Sequence, residues 1–230
     1  MNIVALIQAR MGSTRLPCKM MLSLHGRPLI DWVVHRTSTA QRLDRIVVAT
    51  SANPNNDPMV NHLENQGVDV FRGSEDDVLR RFYEAATARD ATHVVRICAD
   101  NPLIWGGEID NLIEAYFARQ AVGCDYAYNH IPRNNLYPDG LGAEMLSFPL
   151  LCQLHEKATL PAHREHCLSY IWDNAAQYKI HTFDPPDPRL HRPEVKLDVD
   201  TLEDYRKLAL MPIHMGMPPA EVIMRYPKGA

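Results

Sequence analysis

The chain has 230 residues, 46% hydrophobic and 23% charged, with a formal net charge of −4. That length and balance suit one large α/β domain with ample material for a core. The charge supplies no long-range field toward nucleic acid or an anionic membrane, so neither is expected as a partner and any anion site must be local.

In chain order, the β-branched run Ile3–Ile7 predicts a strand and Gln8–Cys18 the loop after it. Leu29–Thr39 carries a helical pattern, Arg45–Thr50 reads as the next strand, Met59–Gln66 as a helix and Val68–Phe71 as a short strand. Ser74 with Asp77 three residues on reads as a capping box. It opens a helix whose Val78, Phe82, Ala85 and Ala86 share one face. His93–Cys98 predicts a buried strand and Glu108–Gln120 a helix. Strands alternating with helices predict an α/β fold, a mostly parallel sheet flanked by helices.

After Gly123 the rhythm changes. Asp125–Tyr128 reads as a strand, Asn129–Gly142 as loop or hairpin, and Phe148–Lys157 and His163–Gln177 as helices. Tyr178–Phe183 predicts a strand, Asp184–Pro193 an irregular Pro-rich loop, and Val195–Val199 a further strand. Thr201 with Asp204 caps a helix running to Met211. The division expected is one domain over residues 1–230. It has a nucleotide-binding half at 1–123, an elaborated acceptor-binding part at 124–194, and a metal-binding strand with C-terminal helices at 195–230. Five scattered cysteines without a CxxC pair argue for a reducing compartment. The leading MNIVALIQAR lacks a basic leader and a cleavage site, and no apolar run approaches the ~20 residues that span a bilayer. A cytoplasmic location is therefore expected.

The loop after the first strand concentrates the chemistry. Ala9, Arg10, Met11, Gly12, Ser13, Thr14, Arg15, Leu16, Pro17, Cys18 and Lys19 bring three cations, a flexible Gly and two hydroxyls to the end of a strand. Backbone N–H groups and hydroxyls can wrap triphosphate oxygens there while Arg and Lys neutralise them. A solvated basic loop is the bland alternative. Neither GxxxxGK[ST] nor GxGxxG is present. Asp100 and Asp200 each follow an apolar strand pattern, so two carboxylates from separate strand ends can converge on one Mg²⁺. Asp198 alternates with Asp200 and could face the same ligand. The histidines His155, His163, His166 and His181 show no zinc spacing. Trp32, Trp105 and Trp172 sit in apolar contexts and are expected in the core.

The strings ARMGSTRLPCK (Ala9–Lys19), GRPLIDWVV (Gly26–Val34), IVVATSANPNNDP (Ile46–Pro58), VFRGSEDDVLRRF (Val70–Phe82) and VVRICADNPLI (Val94–Ile104) occur in that order. YPDGLGAE (Tyr137–Glu144), Arg164-Glu165-His166 and LDVDTLEDY (Leu197–Tyr205) follow. Together they resemble the bacterial cytidylyltransferase family, which includes spore-coat polysaccharide synthesis proteins and, more distantly, the CMP-sialic acid and CMP-Kdo synthetases. The resemblance implies a glycosyltransferase-A-like nucleotidyltransferase fold, CTP as donor, a sugar-like small-molecule acceptor and Mg²⁺ as cofactor. It places Arg10, Ser13, Arg15 and Lys19 on the triphosphate, Ala9 and Gly12 among the nucleotide-binding residues, and Arg72 and Ser74 near the cytidine. Arg96 would flank the nucleotide, and Asp100 and Asp200 would bind the metal, with Asp198 a weaker candidate. Arg15, Lys19 and Asp100 carry the catalytic expectation. Asp139, Glu144, Arg164 and His166 are the acceptor candidates, and a homodimer is compatible with the family.

Two positions depart from the family pattern. Cys18 stands where a Gly is usual, which costs strain if φ is positive there. Gly142 and Ala143 replace an Asp and its neighbour in the acceptor motif, leaving the acceptor's identity open. A glycosyltransferase using Asp198-Val199-Asp200 as its metal motif, and a nucleotide-binding regulatory protein, are the competing readings. Pyrophosphate release from CTP separates them.

Overall fold

The protein's computed structural model describes residues 1–227. The first parallel strands are β1 (Ile3–Gln8), β4 (Arg45–Ser51), β5 (Asp69–Gly73) and β6 (His93–Cys98), with a small hairpin of β2 (Ser23–Leu24) and β3 (Arg27–Pro28). Helices α1 (Leu29–Thr37), α2 (Asp57–Asn65), α3 (Val78–Thr87) and α4 (Gly106–Ala118) connect and flank them. The second half supplies β7 (Tyr126–Tyr128), β8 (Glu144–Ser147), α5 (Phe148–Lys157), α6 (Pro161–Glu165), α7 (Ser169–Asp173), β9 (Ile180–His181), α8 (Leu202–Leu210) and α9 (Pro219–Arg225). The main sheet has the order β5-β4-β1-β6-β8-β7-β9. Its first four strands pair in parallel, and β8 runs antiparallel to both β6 and β7. The fold is the expected α/β one, a mostly parallel sheet flanked by helices.

Burial explains why β1 reads as a continuous apolar run. Ile3, Ala5 and Ile7 pack into the core on one face, with α1 and α4, while Val4 and Leu6 join α3 and α5 on the other. A strand covered on both faces has no polar side to alternate with.

Four sequence expectations are corrected. The capping box proposed for Ser74 and Asp77 is absent. Asp77 is itself the N-cap of α3 and accepts the Arg80 N–H at 2.8 Å, while Ser74 Oγ accepts the Asp77 N–H at 3.1 Å. The 163–177 helix is broken into α6, α7 and a short 3₁₀ turn, because the segment folds over α3 rather than running straight. The 178–183 strand shortens to β9 at the sheet edge. Val195–Val199 is extended but only bridges Asp139 through Lys196. Its backbone is spent on Asp139 and Asp100, since Leu197 N–H donates to the Asp139 carbonyl at 3.0 Å and Val199 N–H to the Asp100 carbonyl at 2.7 Å. The Thr201–Asp204 capping box is present as expected. β8 is an addition: the alternation signal of Glu144–Ser147 is too short to read from sequence.

Arg36 ties the carboxyl-end region together. It is fully buried in α1, and its guanidinium donates to the carbonyls of Ile104 (2.7 Å), Leu103 (3.2 Å), Met215 (2.7 Å) and Met217 (2.9 Å). It also lies over the Trp105 ring, 4.6 Å from its centroid. Burial pulls its pKa down to about 9, so it stays cationic at neutral pH. A lysine has one nitrogen for these four carbonyls. Arg36→Lys is therefore expected to lower unfolding stability by about 2–4 kcal/mol, the scale for stripping several partners from a buried charged network. Urea denaturation checks it, and a loss below about 1 kcal/mol would show that the carbonyls find other partners.

Candidate active site

β1 and β6 lie side by side with Gln8 opposite Cys98, so both carboxyl ends open to the same edge. Ligands of open α/β sheets bind outside that edge. A cavity of about 190 Å³ lies there, lined by Gln8, Arg10, Ser13, Thr14, Arg15, Lys19, Met20, Cys98, Ala99, Asp100 and Asp200. Of the residues singled out from the sequence, Arg10, Ser13, Arg15, Lys19, Asp100 and Asp200 line this one space together. Gln8, which reads as the last residue of a strand, was missed.

The loop is held from inside and from below. The Met11 carbonyl accepts the N–H groups of Ser13 (2.9 Å) and Cys18 (3.1 Å), and Leu16 N–H donates to Ser13 Oγ at 3.2 Å. The Met11 N–H donates to Asn56 Oδ1 at 2.8 Å, and the buried Asn56 amide donates to Ser51 Oγ at 2.6 Å. Ser51 in turn donates to Glu75. Asn56 thus fixes the loop from a residue 45 positions away. It falls within the string IVVATSANPNNDP, but nothing in that string marks its side chain as the anchor. A Cβ on Gly12 would meet nothing within 4 Å, so no steric demand for glycine exists there. Cys18 does adopt the left-handed conformation, with φ 57 and ψ 21.

Charge is paired across the cavity. The Lys19 ammonium lies 3.8 Å from Asp100 Oδ2 and 3.5 Å from Asp200 Oδ1, and donates to the Val199 carbonyl at 2.9 Å. Arg15 reaches Asp200 at 3.0 Å from an exposed position. Two carboxylates from distant parts of the chain therefore already share one cation among hard oxygen ligands. That donor set suits a divalent cation completed by phosphate oxygens and water. Among the described residues no three His, Cys, Asp or Glu side chains converge as a metal site of their own. The structure sets Asp198 apart from the pair. Its Oδ2 faces Lys196 at 3.3 Å and its Oδ1 is buried without a partner. Burial raises the Asp198 carboxyl above its ordinary range, and burial together with Asp198 raises Asp139 to about 6. Cys98 lines the cavity, but burial pushes its thiol up, so no thiolate nucleophile is offered.

The remaining candidates fall in separate environments. Arg72 pairs with Asp57 at 2.6 Å and donates to the Asn53 carbonyl at 3.2 Å, outside the cavity. Ala9 is buried, its N–H donating to the Ala49 carbonyl at 3.4 Å. Arg96 does not line the cavity; it donates to Gln8 Oε1 at 3.0 and 3.2 Å and pairs with buried Glu144. Burial alone would raise Glu144, but Arg96 and the Tyr126 hydroxyl outweigh it and hold the carboxylate below its ordinary range. Arg164 pairs with Asp77 at 2.5 Å in a hollow that Arg10 also lines, and His166 is exposed at the end of α6. Gly142 is explained by packing: a Cβ there would sit 2.1 Å from Asn129 Oδ1. That buried amide accepts the Ala143 N–H at 2.9 Å and donates to the Glu108 carbonyl at 2.8 Å.

Loop cations, paired carboxylates and a cavity at the strand ends define a nucleotidyltransferase. The profile of the cytidylyltransferase family matches residues 4–211, and the chain belongs to that family of CTP-dependent transferases. It is 34% identical over 212 residues to the spore coat polysaccharide biosynthesis protein SpsF of Bacillus subtilis, covering 90% of this chain and 85% of that one. It is 35% identical to the 3-deoxy-manno-octulosonate cytidylyltransferase of Bdellovibrio bacteriovorus over 118 residues, 50% of this chain and 46% of that protein. Among solved structures, a cytidylyltransferase from Leptospira borgpetersenii superposes with a TM-score of 0.87 at 29% identity, covering 97% and 93% of the two chains. A Mycobacterium tuberculosis protein solved as a manganese complex shares the fold, with a TM-score of 0.60 at 19% identity and coverage of 91% and 98%.

The left-handed backbone at Cys18 generates a stability prediction. Removing about 1–2 kcal/mol of side-chain strain outweighs roughly 0.4–1 kcal/mol of added chain entropy. Cys18→Gly should therefore raise Tm by about 1–4 °C, whereas Cys18→Val should lower it. Calorimetric scans of the three proteins decide it, and a lower Tm for the Gly variant would contradict the strain.

Proposed function

We propose that this enzyme transfers CMP from CTP to a hydroxyl of a sugar acid or closely related sugar, releasing pyrophosphate, with Mg²⁺ as cofactor. The observation that carries the reading is one cavity enclosed by Arg10, Arg15, Lys19, Asp100 and Asp200 at adjacent strand ends. The acceptor class rests on the similarity to the Bdellovibrio enzyme and to SpsF.

Arg10, Arg15 and Lys19 bind the triphosphate, with Ser13 and Thr14 offering hydroxyls. Their charge lowers repulsion against the incoming oxygen and stabilises the negative charge that builds on the departing pyrophosphate. The acceptor oxygen attacks the α-phosphorus in line, its proton passes to solvent water, and the bond from the α-phosphorus to the oxygen bridging it to the β-phosphorus breaks, its electron pair leaving on pyrophosphate. No protein-bound intermediate is required. Asp100 and Asp200 would hold the divalent cation, which when bound neutralises non-bridging phosphate oxygens. Positioning is the protein's main contribution, and the loop anchored at Asn56 supplies it.

Residues 1–123 are assigned to the nucleotide, residues 124–194 to the acceptor, and the segment from 195 onward to the metal. Asp139, Arg164 and His166 stay as acceptor candidates, whereas Glu144 is engaged by Arg96 and Tyr126. We read the enzyme as cytoplasmic, supported by free cysteines and by the absence, among the described residues, of a helix able to cross a membrane. A homodimer is part of the same reading, with exposed Leu210 and Met224 as support, and sedimentation would report it.

A pyrophosphate-release screen of four NTPs against sugar acids and sugar phosphates tests the reading, and CTP should stand out. Asp100→Asn and Asp200→Asn should each reduce turnover by at least about a hundredfold while unfolding normally, since each removes a charged group from the proposed metal site. Near-normal turnover of either variant would remove that residue from the site. Arg15→Ala should weaken CTP by about 10- to 100-fold, the scale of one charge-assisted contact. Its acceptor Michaelis constant should stay within about twofold on the same scale, and an equal loss in both constants would undo the division between the two halves.

A further inference from the structure

Among the described residues, Gln8 is the one carboxamide lining a cavity whose charged groups are Arg10, Arg15, Lys19, Asp100 and Asp200. Its carboxamide is not free to rotate. Arg96 donates Nε and Nη2 to Gln8 Oε1 at 3.2 and 3.0 Å, which commits the oxygen and leaves the amide NH₂ as the group available to a ligand. No protein acceptor takes that NH₂ among the described residues. The arginine is fixed in turn by buried Glu144, which holds Arg96 with one carboxylate oxygen and the Tyr126 hydroxyl with the other. Residues of β6, β7 and β8 thus build an internal support whose outward product is one oriented donor.

Exposure separates Gln8 from the two arginines of the cavity, though not from buried Lys19. Arg10 and Arg15 lie at the exposed rim, Arg15 with 64% of its side chain accessible, whereas Gln8 is half-buried beside Cys98 and Ala99. The Ala99 N–H donates to the Gln8 carbonyl at 3.1 Å, locking Gln8 next to the turn that carries Asp100. The rim cations suit the doubly charged outer phosphates. A neutral donor next to a carboxylate suits an oxygen carrying at most one charge. Resting on the nucleotidyltransferase reading above, we propose that Gln8 is a nucleotide-binding residue that donates to an oxygen at or next to the α-phosphate, in the part of the nucleotide shared by CTP and CMP. Arg96, Glu144 and Tyr126 are its positioning residues.

Calorimetric titration of CTP and of CMP into wild type, Gln8→Leu and Arg15→Ala tests this. Gln8→Leu should weaken CTP and CMP by the same factor, about 3- to 12-fold, the range for one neutral hydrogen bond. Arg15→Ala should weaken CTP far more than CMP. Tyr126→Phe should give a smaller loss of the same pattern, and that loss should vanish in the Gln8→Leu background, which a merely structural role would not produce. Gln8→Met, similar in length, uncharged and lacking the donor, should behave as Gln8→Leu does and guards against an effect of shape. Binding of both nucleotides within twofold of wild type in Gln8→Leu would overturn the proposal. So would a loss confined to CTP, or unchanged nucleotide binding with a raised acceptor Michaelis constant. Wild type binding neither nucleotide would overturn the parent reading as well, so the two failures are distinguishable.

Discussion

A single ammonium group organises the site. Lys19 follows the phosphate-type loop, yet its Nζ sits between Asp100 and Asp200 and donates to the Val199 carbonyl. Residues 19, 100 and 200 are brought together by that contact. Without a cation between them the two carboxylates would repel each other in a partly shielded space, where such repulsion is stronger than in water. The same balance gives the cavity its dual character. Three cations and two carboxylates line the same space.

The sheet makes this possible by register rather than by any special motif. Parallel pairing of β1 with β6 puts Gln8 opposite Cys98, so the next residues of both strands emerge together. The antiparallel entry of β8 then buries Glu144 beneath that edge, opposite Arg96. A buried ion pair of this kind is costly to desolvate and gains its value from complete satisfaction. Here Gln8 and Tyr126 complete it. The result is a rigid floor under a loop that is itself tied down through Asn56.

The departures from the family pattern have different physical standing. Cys18 keeps a left-handed backbone without the glycine that relieves it, a local strain held by the loop's hydrogen bonds to Met11. Gly142 is a packing solution, because Asn129 fills the space and satisfies the neighbouring backbone. The change at 142 thus reshapes the wall of the second half without leaving a void.

The sequence by itself determined the alternation of strands and helices through Cys98, the cationic loop, and the two aspartates that end apolar runs. These are local signals: side-chain periodicity, turn residues and charge density within a dozen positions. It also carried the family, because ordered strings over most of the chain leave little freedom. Tertiary structure alone decided which candidates share a space. Asp200 joins Asp100 while Asp198, two residues away, turns to Lys196. Glu144 is consumed as the partner of Arg96 rather than left facing solvent. Gln8 lines the cavity with its oxygen held by Arg96 of the neighbouring strand, and Asn56 anchors the loop through Met11. Each outcome depends on a contact between residues 45 or more positions apart or on the direction a side chain takes from an extended backbone, neither of which leaves a trace in local sequence.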